Sequence, residues 1–177
     1  SWASRGLGDV YKRQMLNNME SRGPDSAGFA IYKNEGNKIY KFSLCINDLN
    51  FNIFKKELSK KIKKIRLKQI SDHVILKTEE KPKKVISVIS SYFPKVSIVG
   101  YGKSIEIFKQ VGNPKDVVKK FKLGEFSGTH GIGHTRMATE SAITTDGSHP
   151  YSTGEDECLV HNGSLSNHNN LRRELTK

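Results

Sequence analysis

The apolar residues of this chain come in short runs broken by glycine, proline, asparagine and serine, with strand-like and helix-like spacings side by side. Phe29-Ala30-Ile31-Tyr32 reads as a strand, residues 34–37 as a turn and residues 38–44 as a second strand, which predicts a hairpin. Residues 73–77, 85–90 and 96–99 read as further short strands, and residues 105–109 alternate apolar and polar as another. Residues 131–136 and 158–161 read as strands that each end in a polar motif. Helical spacing is confined to a few places. Phe54, Leu58, Ile62 and Ile65 predict a helix over 52–70 with lysines on its other faces. Asn113-Pro114 starts a helix reaching about 122, because proline suits the first helical position. Leu16 and Met19 mark a helix over 15–22, and Ser166 or Asn167 can cap one over 169–175. There is no internal repeat. This mixture argues for an α+β fold.

Length and composition narrow the class. A chain of 177 residues fits one domain or most of one. Its two cysteines, Cys45 and Cys158, make no disulfide framework and read as small core residues. No signal-peptide pattern and no membrane-length apolar run is present, so a cytoplasmic location is expected. The net charge of +12 is local: residues 55–84 carry twelve Lys or Arg against four Asp or Glu, whereas residues 125–177 carry four against seven. The basic stretch has no aromatic residue from 55 to 91 and only Arg66 as arginine, so it reads as a solvated lysine-rich face. Nucleic-acid binding there is the lesser reading, since stacking platforms and arginine forks are missing.

Several familiar signals fail on their own terms. GYGKS (100–104) ends like a phosphate-binding loop, but the glycine needed at 97 is Ser97. His130 and His134 are four apart, but Gly131-Ile132-Gly133 between them is a poor helix, so no metal ligand set and no cofactor is expected. Residues 1–14, SWASRGLGDVYKRQ, lack periodicity and read as a non-native leader; the natural sequence is expected to resume near Met15.

The C-terminal third is dense in polar motifs. GHTRMAT (133–139) places Arg136 at a strand end with the Thr139 hydroxyl three residues on. An arginine there can clamp a carboxylate through two parallel hydrogen bonds. His161-Asn162-Gly163 ends another strand, and a side-chain amide beside a glycine N–H can form an oxyanion hole. Together these suit acyl transfer on an amino-acid-like substrate. A plainer reading, favoured by spacing alone, makes Arg136 a structural ion-pair partner and Asn162-Gly163 a turn.

Three segments then carry a resemblance. RGPDSAGFAIY (22–32), GHTRMATESAITTDGSHPYS (133–152) and CLVHNGSLSNHNNLRREL (158–175), in that order, resemble the class II glutamine amidotransferase domain. The match is nearest to the amidotransferase subunit related to archaeal-type glutamate synthases and N-methylglutamate synthases, which IEIFKQVG (105–112) also fits. It covers residues 15–32 and 105–177, leaving 44–99 as a variable lysine-rich insertion in a partial domain over 15–177. The resemblance implies a four-layer αββα N-terminal-nucleophile hydrolase sandwich. It implies hydrolysis of L-glutamine to glutamate and ammonia, the ammonia passing to a synthase subunit or domain. Arg136 matches the residue that holds the α-carboxylate, with Thr139 assisting, and Asn162 and Gly163 match the oxyanion hole. Arg22 matches an arginine that supports the nucleophile region, and His149 shapes the pocket wall. The family's nucleophile is an N-terminal cysteine, and no cysteine precedes Arg22 here. The expectation is therefore a fragment, truncated at both ends, that cannot itself hydrolyse glutamine. The other readings are a non-catalytic amino-acid-binding regulatory module and an amidotransferase with a different acceptor.

Overall fold

The computed structural model describes residues 2–5, 14, 18, 21, 23–34, 36, 38–137, 143–163 and 168–175. Strand β1 is Trp2–Arg5, β2 Ser26–Tyr32 and β3 Tyr40–Cys45; helix α1 is Phe51–Lys61. Then come β4 (Arg66–Ile70), β5 (His73–Thr78), α2 (Pro82–Tyr92), β6 (Ser97–Gly102) and β7 (Ile105–Val111). Helix α3 (Pro114–Lys120), a 3-10 turn (Leu123–Glu125), β8 (His130–Arg136), β9 (Tyr151–Gly154), β10 (Glu157–Leu159) and α4 (His168–Leu175) complete the order. The fold is α+β, with antiparallel sheets and few helices.

One sheet runs β1-β8-β2-β7. Strand β2 lies between β7, with Tyr32 opposite Ile105, and β8, with Ser26 opposite Arg136. Trp2–Arg5, within the stretch read as a leader, pairs with the outer edge of β8, Trp2 opposite Gly133. The physical reason is the ladder itself: an uncovered edge leaves N–H and C=O groups unpaired, and a short extended segment satisfies them.

The other four-stranded sheet runs β4-β5-β3-β6. The hairpin expected between β2 and β3 does not form, because the two strands belong to different sheets. Strand β2 pairs instead with β7 and β8, and residues 33–104 are an excursion from the end of β2 to the start of β7. Its two ends touch, with Lys33 N donating to Ser104 O at 2.9 Å. Lys41, 0% exposed, clasps them: its Nζ donates to Lys33 O at 3.0 Å and Ser104 O at 2.9 Å, and reaches Glu106 Oε1 at 3.3 Å. A second clasp comes from Asp156. Its carboxylate accepts from the backbone N–H of Lys103, Ser104 and Ile105 at 2.9, 2.7 and 2.9 Å.

Two further expectations inside the excursion are corrected. The helix predicted over 52–70 ends at Lys61. Asn50 Oδ1 caps its start by accepting from Asn52 N and Ile53 N, and Phe54 and Leu58 bury its apolar stripe. After it, Lys64 takes a left-handed φ of 52° and turns the chain, so residues 66–70 run extended against β5. The strand predicted over 85–90 is instead helix α2. VISVIS satisfies both periods, but Val85 and Ile89 are buried four apart and Pro82 sits in the first turn, so tertiary burial overrides β-branched propensity.

The core has three parts. Phe29 and Phe108, on paired strands, stack with centroids 5.3 Å apart, and Phe121 and Phe126 close on them edge to face or tilted. Helix α3, capped by Asn113, covers this face with Val117 and Val118. Helices α1 and α2 cover the opposite side of the second sheet through Phe42, Leu44, Val74, Leu76, Phe54 and Leu58. Between the sheets lie Ala30, Cys45, Val99, Ile105 and Ile107. The strand expected over 158–161 spans only Glu157–Leu159 and pairs with β9, for which the sequence analysis has no strand. Helix α4 stands as expected; its predicted cap at Ser166 or Asn167 and most of the predicted helix over 15–22 lie outside the described residues.

Candidate functional site

Arg136 ends β8, half-buried, where the strand leaves the sheet. Its Nη1 donates to Gly147 O at 3.2 Å, and its carbonyl accepts from Asp25 N at 3.1 Å. The motif RGPDSAG thus abuts GHTRMAT, and glycine is needed for it. A Cβ on Gly23 would lie 2.7 Å from Arg136 N, and one on Gly28 would strike His149 O and lie 2.7 Å from Lys109 Cβ. The loop ending in the cis His149-Pro150 peptide is laid across β2 in this way.

The described part of that loop, residues 143–150, is held by hydrogen bonds from several elements. Gly147 O also accepts from Tyr151 Oη at 2.8 Å, and Gly147 N donates to Thr144 Oγ1 at 3.0 Å. Buried Lys109, on β7, donates to Asp146 O and Ser148 O, both at 3.0 Å. His149 is held between His134 and Tyr151, ring centroids 4.3 and 4.4 Å away. His134 alternates with Arg136 along β8, so one strand supplies both a cation and an imidazole. His134 entered the sequence reading only as a dismissed metal ligand, and Lys109 and Tyr151 were not singled out. The period-two spacing of His134 and Arg136 was the available signal for the first; a buried lysine offers none.

The imidazoles are kept neutral. Burial lowers the His134 pKa to about 4, aided by the nearby His149, and burial likewise lowers His149 to about 4, aided by the charges of Arg136 and Lys109. His161 disfavours the charged form of both, which puts the HNG motif in the same electrostatic neighbourhood. Between pH 4 and 6.5 the unfolded chain binds protons that the folded chain does not, so folding stability rises with pH over that window. The stability linked to this pair is complete above pH 6.5 and is lost as pH falls toward 4. Urea unfolding across this range should show that slope, and the double variant His134→Gln, His149→Gln should flatten it; an unchanged slope in the double variant refutes the assignment.

Asn162 and Gly163 follow the β9–β10 hairpin and are exposed, as is His161. Thr139 and Arg22 lie outside the described residues. The structure thus joins Arg136 and His149, two of the residues expected at the site. Cys45 is buried and Cys158 half-buried, its Sγ 3.4 Å from Tyr32 Oη. Burial raises the pKa of both thiols, so neither is a ready thiolate. Among the described residues, no helix is long and apolar enough to cross a membrane.

No family model matches the chain. It nonetheless has glutamine amidotransferase-like homologues. It is similar to the glutamine amidotransferase-like protein GlxB of Rhizobium meliloti (strain 1021), 48% identical over 166 residues, covering 92% of this chain and 55% of that protein. A protein of Methanothermobacter thermautotrophicus with a provisional glutamine amidotransferase name is 29% identical, covering 93% of this chain and 58% of its own length. The glutamine–fructose-6-phosphate aminotransferase (isomerizing) of Bradyrhizobium diazoefficiens is 40% identical over 76 residues, 43% of this chain and 12% of that enzyme. The chain spans little more than half the length of the first two.

Proposed function

We propose that this chain is the glutamine-binding part of a class II glutamine amidotransferase with the four-layer αββα N-terminal-nucleophile fold. The parent hydrolyses L-glutamine to glutamate and ammonia in the cytoplasm and delivers the ammonia to a synthase subunit or domain, of the archaeal glutamate synthase type. The observation that carries this is the Arg136 cluster: a fixed guanidinium at a strand end beside two imidazoles held neutral near pH 7. Neutral imidazoles add no competing cation beside the arginine, whose planar fork suits an α-carboxylate. Thr139 donates to the same group. The Asn162 amide and Gly163 N–H receive the developing oxyanion. Arg22 and His149 support the pocket. Two amidotransferase-named homologues cover 92% and 93% of the chain, whereas the likeness to the sugar-phosphate enzyme of Bradyrhizobium diazoefficiens covers 43% of it. Burial keeps both Cys45 and Cys158 as thiols, so neither is a ready nucleophile and the 177-residue polypeptide binds glutamine without turning it over.

The test is ligand binding without turnover. Titrating L-glutamine into the isotope-labelled chain should move resonances of Arg136 and its neighbours while no ammonia forms. Absence of any shift at millimolar glutamine refutes the substrate; ammonia release above a protein-free control refutes the inactivity.

A further inference from the structure

A second group of reactive side chains lies between the sheets, apart from the Arg136 cluster. Cys45 ends β3 and His73 begins β5, and the two stand opposite each other in the antiparallel ladder. They are 2% and 0% exposed. Asp72 Oδ1 lies 3.0 Å from His73 Nδ1. The Cys45 thiol, a His73 ring nitrogen and an Asp72 carboxylate oxygen all lie within 4.8 Å of one another.

We propose that Cys45, His73 and Asp72 bind a divalent transition-metal ion of the zinc type, with the side-chain oxygen of Asn47 as the fourth donor. No spacing in the sequence announces this set, because its members come from two strand ends and the turns beside them.

His73 Nδ1 already faces a second donor, 3.0 Å from Asp72 Oδ1. Among the described residues its buried Nε2 has no nitrogen or oxygen partner, and the ring lies 4.8 Å from Phe121 and 5.8 Å from Phe108, centroid to centroid, so packing fixes the imidazole. The thiol beside this pair selects the ion, because sulfur and imidazole are the donors zinc prefers.

The surrounding groups hold the donors in place. Asn47 Nδ2 donates to Lys95 O at 3.0 Å, which fixes the amide so that Oδ1 faces the Cys45 thiol at 3.3 Å. Lys120 Nζ holds Asp72 Oδ2 at 3.0 Å, leaving Oδ1 toward the histidine. Outer partners of this kind orient metal ligands. Zinc bonds of about 2.0–2.3 Å place tetrahedral ligand atoms roughly 3.3–3.8 Å apart, so the most separated donors close by about 1 Å and His73 and Asp72 open by a few tenths. Binding replaces the thiol proton, which leaves to solvent; thiolate and carboxylate then offset the dication, and Lys120, whose side chain is 32% exposed, keeps its charge toward solvent. The occupied site would tie the end of β3, the start of β5 and, through Lys120, the end of α3.

Cobalt(II) is the probe. Added to the reduced, chelator-treated 177-residue chain, it should give a one-equivalent thiolate-to-cobalt charge-transfer band and the visible bands of tetrahedral cobalt, both displaced by zinc(II). Cys158→Ser should keep the band, which identifies Cys45 without disturbing it. Cys45→Ser should abolish it, and His73→Gln should weaken cobalt binding at least tenfold. No band in the wild-type chain, loss of the band in Cys158→Ser or its survival in Cys45→Ser overturns the site.

Discussion

Replacing Arg136 by alanine is expected to lower L-glutamine affinity by about two orders of magnitude. A bidentate guanidinium–carboxylate contact comprises two charge-assisted hydrogen bonds of about 1.5–3 kcal/mol each, and a net loss near 3 kcal/mol corresponds to roughly a hundredfold. The side chain also holds Gly147 O, so part of the effect could be loss of loop order. A ligand comparison separates the two. The wild-type chain should prefer glutamine strongly over 4-aminobutanamide, which lacks the α-carboxylate, and Arg136→Ala should bind both alike. Arg136→Lys keeps the charge and loses the fork, so it should fall between. If Arg136→Ala retains the preference for glutamine, the carboxylate lies elsewhere.

The largest stability effect is expected at Lys41. Its ammonium is buried against two carbonyls and Glu106, whose side chain is 15% exposed. Lys41→Met removes the cation and leaves those acceptors without it, and breaking a buried pair from one side costs about 3–5 kcal/mol. Urea unfolding should show a lower midpoint at unchanged slope. Removing both partners, with Lys41→Met and Glu106→Gln together, should recover part of the loss, because the carboxylate is no longer stranded. A change below about 1 kcal/mol in Lys41→Met would mean that the clasp is not what holds the crossing.

What could be read from the sequence follows contact distance along the chain. The α+β class, most strands and the placement of Arg136 at the end of β8 follow from local periodicity and were legible. The pairing of β2 with β7 and β8 was not, because it joins residues far apart, such as Tyr32 with Ile105. The strand over 85–90 failed because VISVIS fits two periods and only burial of Val85 and Ile89 against the second sheet decides. Lysines read as solvated by default, so buried Lys41 and Lys109, one clasping a crossing and the other a loop, left no trace. The polar motifs around residues 133–163 were legible as chemistry. That Gly28 leaves room for His149 on β2 was visible only in three dimensions.

The touching ends of residues 33–104 have a consequence for how such a chain can vary. Seen from the first sheet, β2 and β7 are the two arms of a hairpin whose loop happens to be a folded body with its own core. Loop-closure entropy grows only with the logarithm of loop length, and a body whose ends already meet adds little more. Changes of length on the far side of that body therefore need not move the register of the strands that carry Arg136. The cost falls on kinetics, since β2 must wait for β7 and then β8 to be made before its ladder closes.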